Sequence, residues 1–244
     1  MGNVMLALAR TFGSLRDGKV WLYVVTPAIL SMLLSIVLAI GALGWIVEQM
    51  LNTPPMTLLA GWGLVWLAHL LAYMGGWMAI FALAYLTASL LAAIVIMPLM
   101  LRHLASNDYR DVAAMGKDSF VAAAVNSILA AILFIAGWVV TMPLWLIPGF
   151  SLLIPLLLMG WLNRRTFAYD ALSMHATDNE WKRLRREHKA PLFMLGLTMA
   201  LLAHIPVVGL LVPALAALSF VHYGLEALRQ LRGEAIVTIE GERV

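Results

Sequence analysis

Four stretches of this 244-residue chain, residues 20–47, 49–101, 119–163 and 190–225, contain no Asp, Glu, Lys or Arg. A bilayer core about 30 Å thick is crossed by about 20 predominantly apolar residues in a helix, so each stretch has length enough to enter a membrane. A water-soluble core does not need such runs. The chain is 63% hydrophobic and 12% charged, against about 45–50% and about 25% in soluble domains. Barrel strands alternate in hydrophobicity, whereas these runs are apolar on every face. Their backbone must therefore satisfy itself within helices. The reading is an all-α integral membrane protein.

Two of the runs carry the same interruption. One is Ile147-Pro148-Gly149-Phe150-Ser151-Leu152-Leu153-Ile154-Pro155, the other Ile205-Pro206-Val207-Val208-Gly209-Leu210-Leu211-Val212-Pro213. Proline has no N–H and clashes with the preceding turn, so each run is expected as helix, break, helix. In the first (residues 119–163) the arms are expected at 121–141 and roughly 150–163. In the second (residues 190–225) they are expected at 192–204 and 210–225. Arms of that length reach about 20–24 Å at 1.5 Å per residue. The second run is therefore expected to be a re-entrant hairpin. The first is either re-entrant or a tilted full hairpin.

The remaining segments fall between these. Residues 1–19 suit an interfacial helix, with Val4, Leu6, Leu8 and Phe12 among small and basic residues. Arg10 and Arg16 interrupt its apolar character, unlike a cleavable signal. Residues 20–47 form a first span with Trp21, Tyr23 and Trp45 as anchors and Pro27 near its entry. Asn52-Thr53-Pro54-Pro55 marks a turn. Residues 58–101 would be about 66 Å long as one helix. They read as one projecting helix rather than two spans split at Gly75-Gly76. Ala68, Ala72 and Gly76, one turn apart, predict a close helix contact, and Pro98 marks the expected membrane exit. Residues 164–189 form a charged connector and residues 226–244 a polar tail.

Charge placement supports two long spans plus two broken hairpins. None of the 16 Lys and Arg lies between residues 20 and 101, and the turn there holds only Glu48. By the positive-inside rule the N- and C-termini are cytoplasmic.

Candidate chemistry is sparse. A helix that begins inside a membrane exposes unpaired N–H groups and a partial positive charge, so Gly149, Phe150, Ser151, Val208 and Gly209 are candidate anion contacts. The alternative is that they merely turn a hairpin. His69 and His204 lie in apolar runs, where they serve either as a proton or polar gate or in hydrogen-bonded packing. His222 is expected at the interface, and Asn126 and Ser127 between helices. Lys182, Arg183, Arg185, Arg186 and Lys189 form a cytoplasmic basic patch that gathers anions, binds acidic lipid or fixes topology. With no cysteine, disulfides and thiol chemistry are excluded. No metal cluster, cofactor motif or catalytic constellation is found, so an enzyme is not expected. The only basic run is mixed with acids and next to membrane, so neither is a nucleic-acid partner.

The layout resembles the CysZ sulfate-permease group of the etoposide-induced-protein domain family. The resemblance rests on Ile147-Pro148-Gly149 with Pro155, on Tyr169, Asp170, His175 and Glu180, on Leu184-Arg185-Arg186, and on the stretch from Phe193 to Pro213. It implies two long membrane helices, two partly inserted hairpins, and sulfate movement across a bacterial inner membrane. The family's Gly-(Ile/Leu)-Arg-Arg stretch before the first span, associated with sulfate binding, corresponds to Gly18-Lys19-Val20-Trp21-Leu22. Its Pro-Phe-Asn-Gly-like turn corresponds to Pro98-Leu99-Met100-Leu101. The expected function is a permease or channel for a small oxyanion such as sulfate, in a homo-oligomer because so few spans wall a pore thinly. The alternative is a membrane scaffold for other proteins.

Overall fold

The computed structural model describes residues 2–117, 120–147, 149–205 and 208–241, without the side chains of residues 120 and 234–241. Pro148, Pro206 and Val207 of the two breaks lie outside the described residues. Among the described residues every element is helical and no strand occurs. Four helices are long and apolar enough to cross a bilayer: Gly18–Gly41, Val65–Asn107, Val121–Leu146 and Val208–Gly233.

The chain forms two compact units, residues 28–88 and residues 1–27 with 89–244. The first divide falls inside α2 (Gly18–Gly41) and the second inside α5 (Val65–Leu91). The smaller unit also contains α3 (Leu43–Leu51) and α4 (Met56–Gly61). Gly63, at φ 78°, separates α4 from α5, which is why the long helix begins at Val65 rather than at residue 58. The small-residue face is used as expected. Ala68 and Ala72 are buried, and a Cβ on Gly76 would meet Leu43 and Val47 of α3 at 3.0 and 3.1 Å. Gly75-Gly76 does not break the helix.

That helix continues from α5 through a π-helical turn (Ala92–Ile96) into α6 (Met97–Asn107). Pro98 removes the N–H that would bond the Ile94 carbonyl and crowds it. The wider π turn just before Pro98 accommodates the ring and lets the helix carry on.

The larger unit is built on α8 (Phe150–Ser173), α10 (Lys189–Leu202) and α11 (Val208–Gly241). α7 (Phe120–Thr141) leads through a 3-10 turn (Met142–Leu146) to α8, so the first break lies where the sequence predicts it. The second proline of each pattern falls inside the outgoing arm, as the expected arms from about 150 and 210 have it. Pro155 and Pro213 are each the sixth residue of their helix and stay within it. At that position each proline lacks only the N–H that would bond the carbonyl of its helix's second residue, Ser151 or Gly209. α8 therefore runs on into the expected connector. α11 continues past residue 225 to Gly241, so the outgoing arm of the second hairpin is 34 residues long and the tail is largely helical. α10, at 14 residues, matches the short incoming arm.

α8 and α10 cross in backbone contact. A Cβ on Gly196 would sit 2.4 Å from the Gly160 carbonyl oxygen, and buried Asn163 donates from Nδ2 to the Gly196 carbonyl at 3.2 Å. α11 packs against α8 through Phe220 and Phe167, whose rings are 6.0 Å apart, and buries Leu215, Leu218, Val221 and Leu225. Against it lies α1 (Gly2–Ser14), with Ala7 and Thr11 buried and Met5 and Phe12 exposed. One face docked and one apolar face free fits the interfacial role expected of α1. α9 (Asp178–Glu187) opens on a capping box. The Glu180 carboxylate accepts the Thr177 N–H at 2.8 Å, and Thr177 Oγ1 accepts the Glu180 N–H at 3.3 Å.

Candidate functional site

The larger of two charged cavities, about 980 Å³, lies at the mouth of α2. Its wall is assembled from several parts of the chain, among them Lys19 at the start of α2. α1 brings Arg10 and Ser14, the short turn after it Arg16 and Asp17, α6 His103, and α11 His222 and Arg229. The Asp17 carboxylate accepts the Lys19 N–H at 2.8 Å, starting α2, and meets His103 Nε2 at 2.5 Å. That contact holds its carboxyl below the usual range.

Behind the cavity lies a polar network. Arg10 donates to Tyr109 Oη at 2.9 Å and pairs with Glu226. Tyr109 Oη lies 3.0 Å from His222 Nδ1, and His222 Nε2 lies 3.0 Å from Ser14 Oγ. Thr11 and Ser219 hydroxyls are 2.9 Å apart. Arg229 holds Asp111 in a bidentate pair, both bonds 2.6 Å, while its guanidinium lies 4.7 Å from the centre of the Tyr109 ring. Burial raises the Tyr109 phenol above its ordinary range, so it stays a neutral donor. Arg10 and Arg229 are thus committed to carboxylates. Among the described residues Arg16 and Lys19, both exposed, have no ion pair and are free to meet an anion.

The sequence did not single out Arg10, Tyr109, Glu226 or Arg229 for a site, and it expected His222 at the membrane interface without the Tyr109 and Ser14 contacts that bury it. One signal was available. Ser219, His222, Glu226 and Arg229 follow helical spacing, a polar stripe on an apolar helix that needs partners.

The second cavity, about 690 Å³, gathers the predicted basic patch. Lys182, Arg185, Arg186 and Lys189 line it together with Arg164 and Arg165 of α8. Arg183 does not line it and pairs instead with Glu187 at 3.0 Å. Asn126 closes one side, donating to the Arg165 carbonyl at 3.0 Å. Burial, and then neighbouring Arg185 and Arg165, lower the Arg164 pKa.

The two breaks occupy different hairpin tips. Gly149 adopts φ 87° as the N-cap of α8, which starts without a side-chain cap. Phe150 and Ser151 beside it are exposed. At the other tip the Gly209 N–H donates to the Ile205 carbonyl at 2.8 Å, and a Cβ there would lie 2.3 Å from the Ala203 carbonyl oxygen. Gly209 is therefore closed into its own turn, beside Val208 at the start of α11. Among the described residues no side-chain hydrogen bond or ion pair joins the tips. His69, exposed, bonds the Val65 carbonyl of its own helix at 2.9 Å, and His204, in the turn after α10, bonds the Ala200 carbonyl at 2.8 Å. Ser127 donates to buried Asp170 at 3.4 Å, so Asn126 and Ser127 do join α7 to α8.

The family model described as Sulfate transporter CysZ/Etoposide-induced protein 2.4 matches residues 7–213. The chain belongs to this family. The CysZ/etoposide-induced-protein match takes in Arg10, Arg16, Lys19, His103 and both breaks, whereas His222, Glu226 and Arg229 lie beyond it. Neither the curated proteins nor the solved structures give a match. The family suggests a sulfate-transporter-like role in a membrane, and four helices of the described residues are long and apolar enough to cross one.

Proposed function

We propose that this CysZ-family chain is a permease or channel for a small oxyanion, sulfate first, in a bacterial inner membrane. The observation that carries the reading is the mouth cavity. Where the family has an Arg pair directly before the first span, this chain has only Lys19. The cavity supplies the missing charge from a neighbouring segment, setting Arg16 beside Lys19, with Arg10 and Arg229 behind them. Cations without a carboxylate partner attract and retain anions, and a concave site focuses that field. The uncapped start of α8 at Gly149, Phe150 and Ser151 offers its helix dipole as a second stop.

In this reading residues 20–47 and 58–101 hold the two spans, and the α7–α8 and α10–α11 pairs are re-entrant. Both termini and all the Lys and Arg are cytoplasmic. Several copies assemble to wall the path. Uptake of labelled sulfate into liposomes holding only the purified protein tests the function. Saturable uptake, displaced by thiosulfate but not by chloride, is the expected result. Folded protein that takes up none, while a second protein co-purifies with it in fixed ratio, would replace the reading with a scaffold.

A further inference from the structure

The second cavity, about 690 Å³, differs from the mouth cavity in its lining and in its place along the chain. Six cations line it, and among the described residues none of them has a carboxylate within 4 Å. Their placement along the chain fixes its depth. Arg164 and Arg165 directly follow the uncharged run 119–163, and Lys189 directly precedes the run 190–225. Both sides of the cavity thus stand where apolar chain gives way to charge, at the level of lipid head groups. Tyr169 and Trp181 in its wall pack edge to face with centroids 5.8 Å apart, and such aromatics favour that level. At its apolar edge the cavity reaches buried Leu192, and the Arg164 guanidinium lies 6.0 Å from the centre of the Phe193 ring of α10.

We propose that this cavity binds the phosphate head group of an anionic phospholipid of the cytoplasmic leaflet, through Arg164, Arg165, Lys182, Arg185, Arg186 and Lys189. Basic pockets between helices on that face suit such head groups. Arginine adds planar, bidentate recognition of phosphate oxygens. The site is separate from the mouth cavity, so lipid binding here and sulfate movement there succeed or fail independently.

The test places the full-length purified protein in phosphatidylcholine nanodiscs and titrates in cardiolipin, phosphatidylglycerol or more phosphatidylcholine. Inorganic phosphate and sulfate serve as separate arms. Retained lipid is counted by native mass spectrometry, and the midpoint of thermal unfolding is followed in parallel. Cardiolipin and phosphatidylglycerol are expected to be retained and to raise the midpoint, weakening as salt is added. Replacing two of the six cations (R185S with R186S) should weaken binding about 30-fold, equivalent to about 2 kcal/mol at about 1.4 kcal/mol per decade. R183S, outside the cavity, should leave binding unchanged and serves as the folding control. Equal retention of phosphatidylcholine would overturn the assignment. So would inorganic phosphate or sulfate binding with the affinity of the lipids, which would make the cavity a simple oxyanion site. Loss of sulfate uptake with lipid binding intact would strike the proposed function alone.

Discussion

Replacing Gly196 with Ala adds one methyl at the place where α8 and α10 touch backbone to backbone. The new Cβ would lie 2.4 Å from the Gly160 carbonyl oxygen, 3.3 Å from the Arg164 nitrogen and 3.4 Å from the Gly160 carbonyl carbon. All three are backbone atoms, so no side chain can turn aside. The helices must part by about 0.6 Å or more before the shortest contact reaches 3.0 Å. Overpacking of this kind costs about 1–3 kcal/mol. The Asn163 hydrogen bond to Gly196 is stretched as well, and bonds between membrane helices average about 0.6 kcal/mol. Against this, Ala favours the helix over Gly by about 1 kcal/mol. The net loss is about 0.6–2.6 kcal/mol, or about 1–10 °C in thermal midpoint at about 2–4 °C per kcal/mol. Gly160→Ala, whose Cβ would meet Leu197 at 3.2–3.5 Å, should cost less. Gly13→Ala, with nothing within 4 Å, should be neutral or stabilising. Thermal unfolding of the three variants in one detergent checks the order. Equal midpoints for G196A and G13A would refute the close crossing.

Other variants test separate links. Gly149→Ala meets no neighbour but must hold φ 87°, so it should lower stability by about 1–2 kcal/mol through backbone strain alone; an unchanged midpoint would count against that geometry. Glu180 is held down to about 2, from an ordinary 4.5, by hydrogen bonding from Arg232 against the opposing effect of burial. Because its folded pKa is depressed, the advantage of wild type over Glu180→Gln should be full above about pH 4.5 and vanish as pH falls through about 2; urea midpoints across that range show whether the gap closes. In this cysteine-free chain, T53C should be labelled from outside the cell and D108C only after permeabilisation. Equal external labelling of both would contradict the topology.

How far the fold was legible depended on how local its causes were. The apolar runs and the break between Thr141 and Phe150 follow from short stretches of sequence, as does the contact face at Ala68, Ala72 and Gly76. The outgoing arms from about residues 150 and 210 were legible with Pro155 and Pro213 inside them, but their ends were not, because both helices run on into charged sequence. The first part of the expected polar tail is held by distant partners. Arg232 reaches the Glu180 carboxylate at 2.9 Å and the His175 carbonyl at 2.8 Å, and Arg229 reaches Asp111. The mouth cavity was illegible for the same reason. Lys19 was visible as the residue in the family's sulfate-binding stretch, but Arg10, Tyr109 and His222 meet only once α1 lies on α11.

Sulfate flux through purified R16S/K19S protein, set against wild type at matched incorporation in liposomes, tests the central claim most directly. These two cations are exposed and have no ion pair among the described residues, so their loss should leave stability within about 0.5 kcal/mol of wild type. The account predicts saturable sulfate uptake by wild type and a fall of tenfold or more in the double variant. Equal uptake by both proteins would contradict the assignment of the mouth cavity as the site where the anion is held.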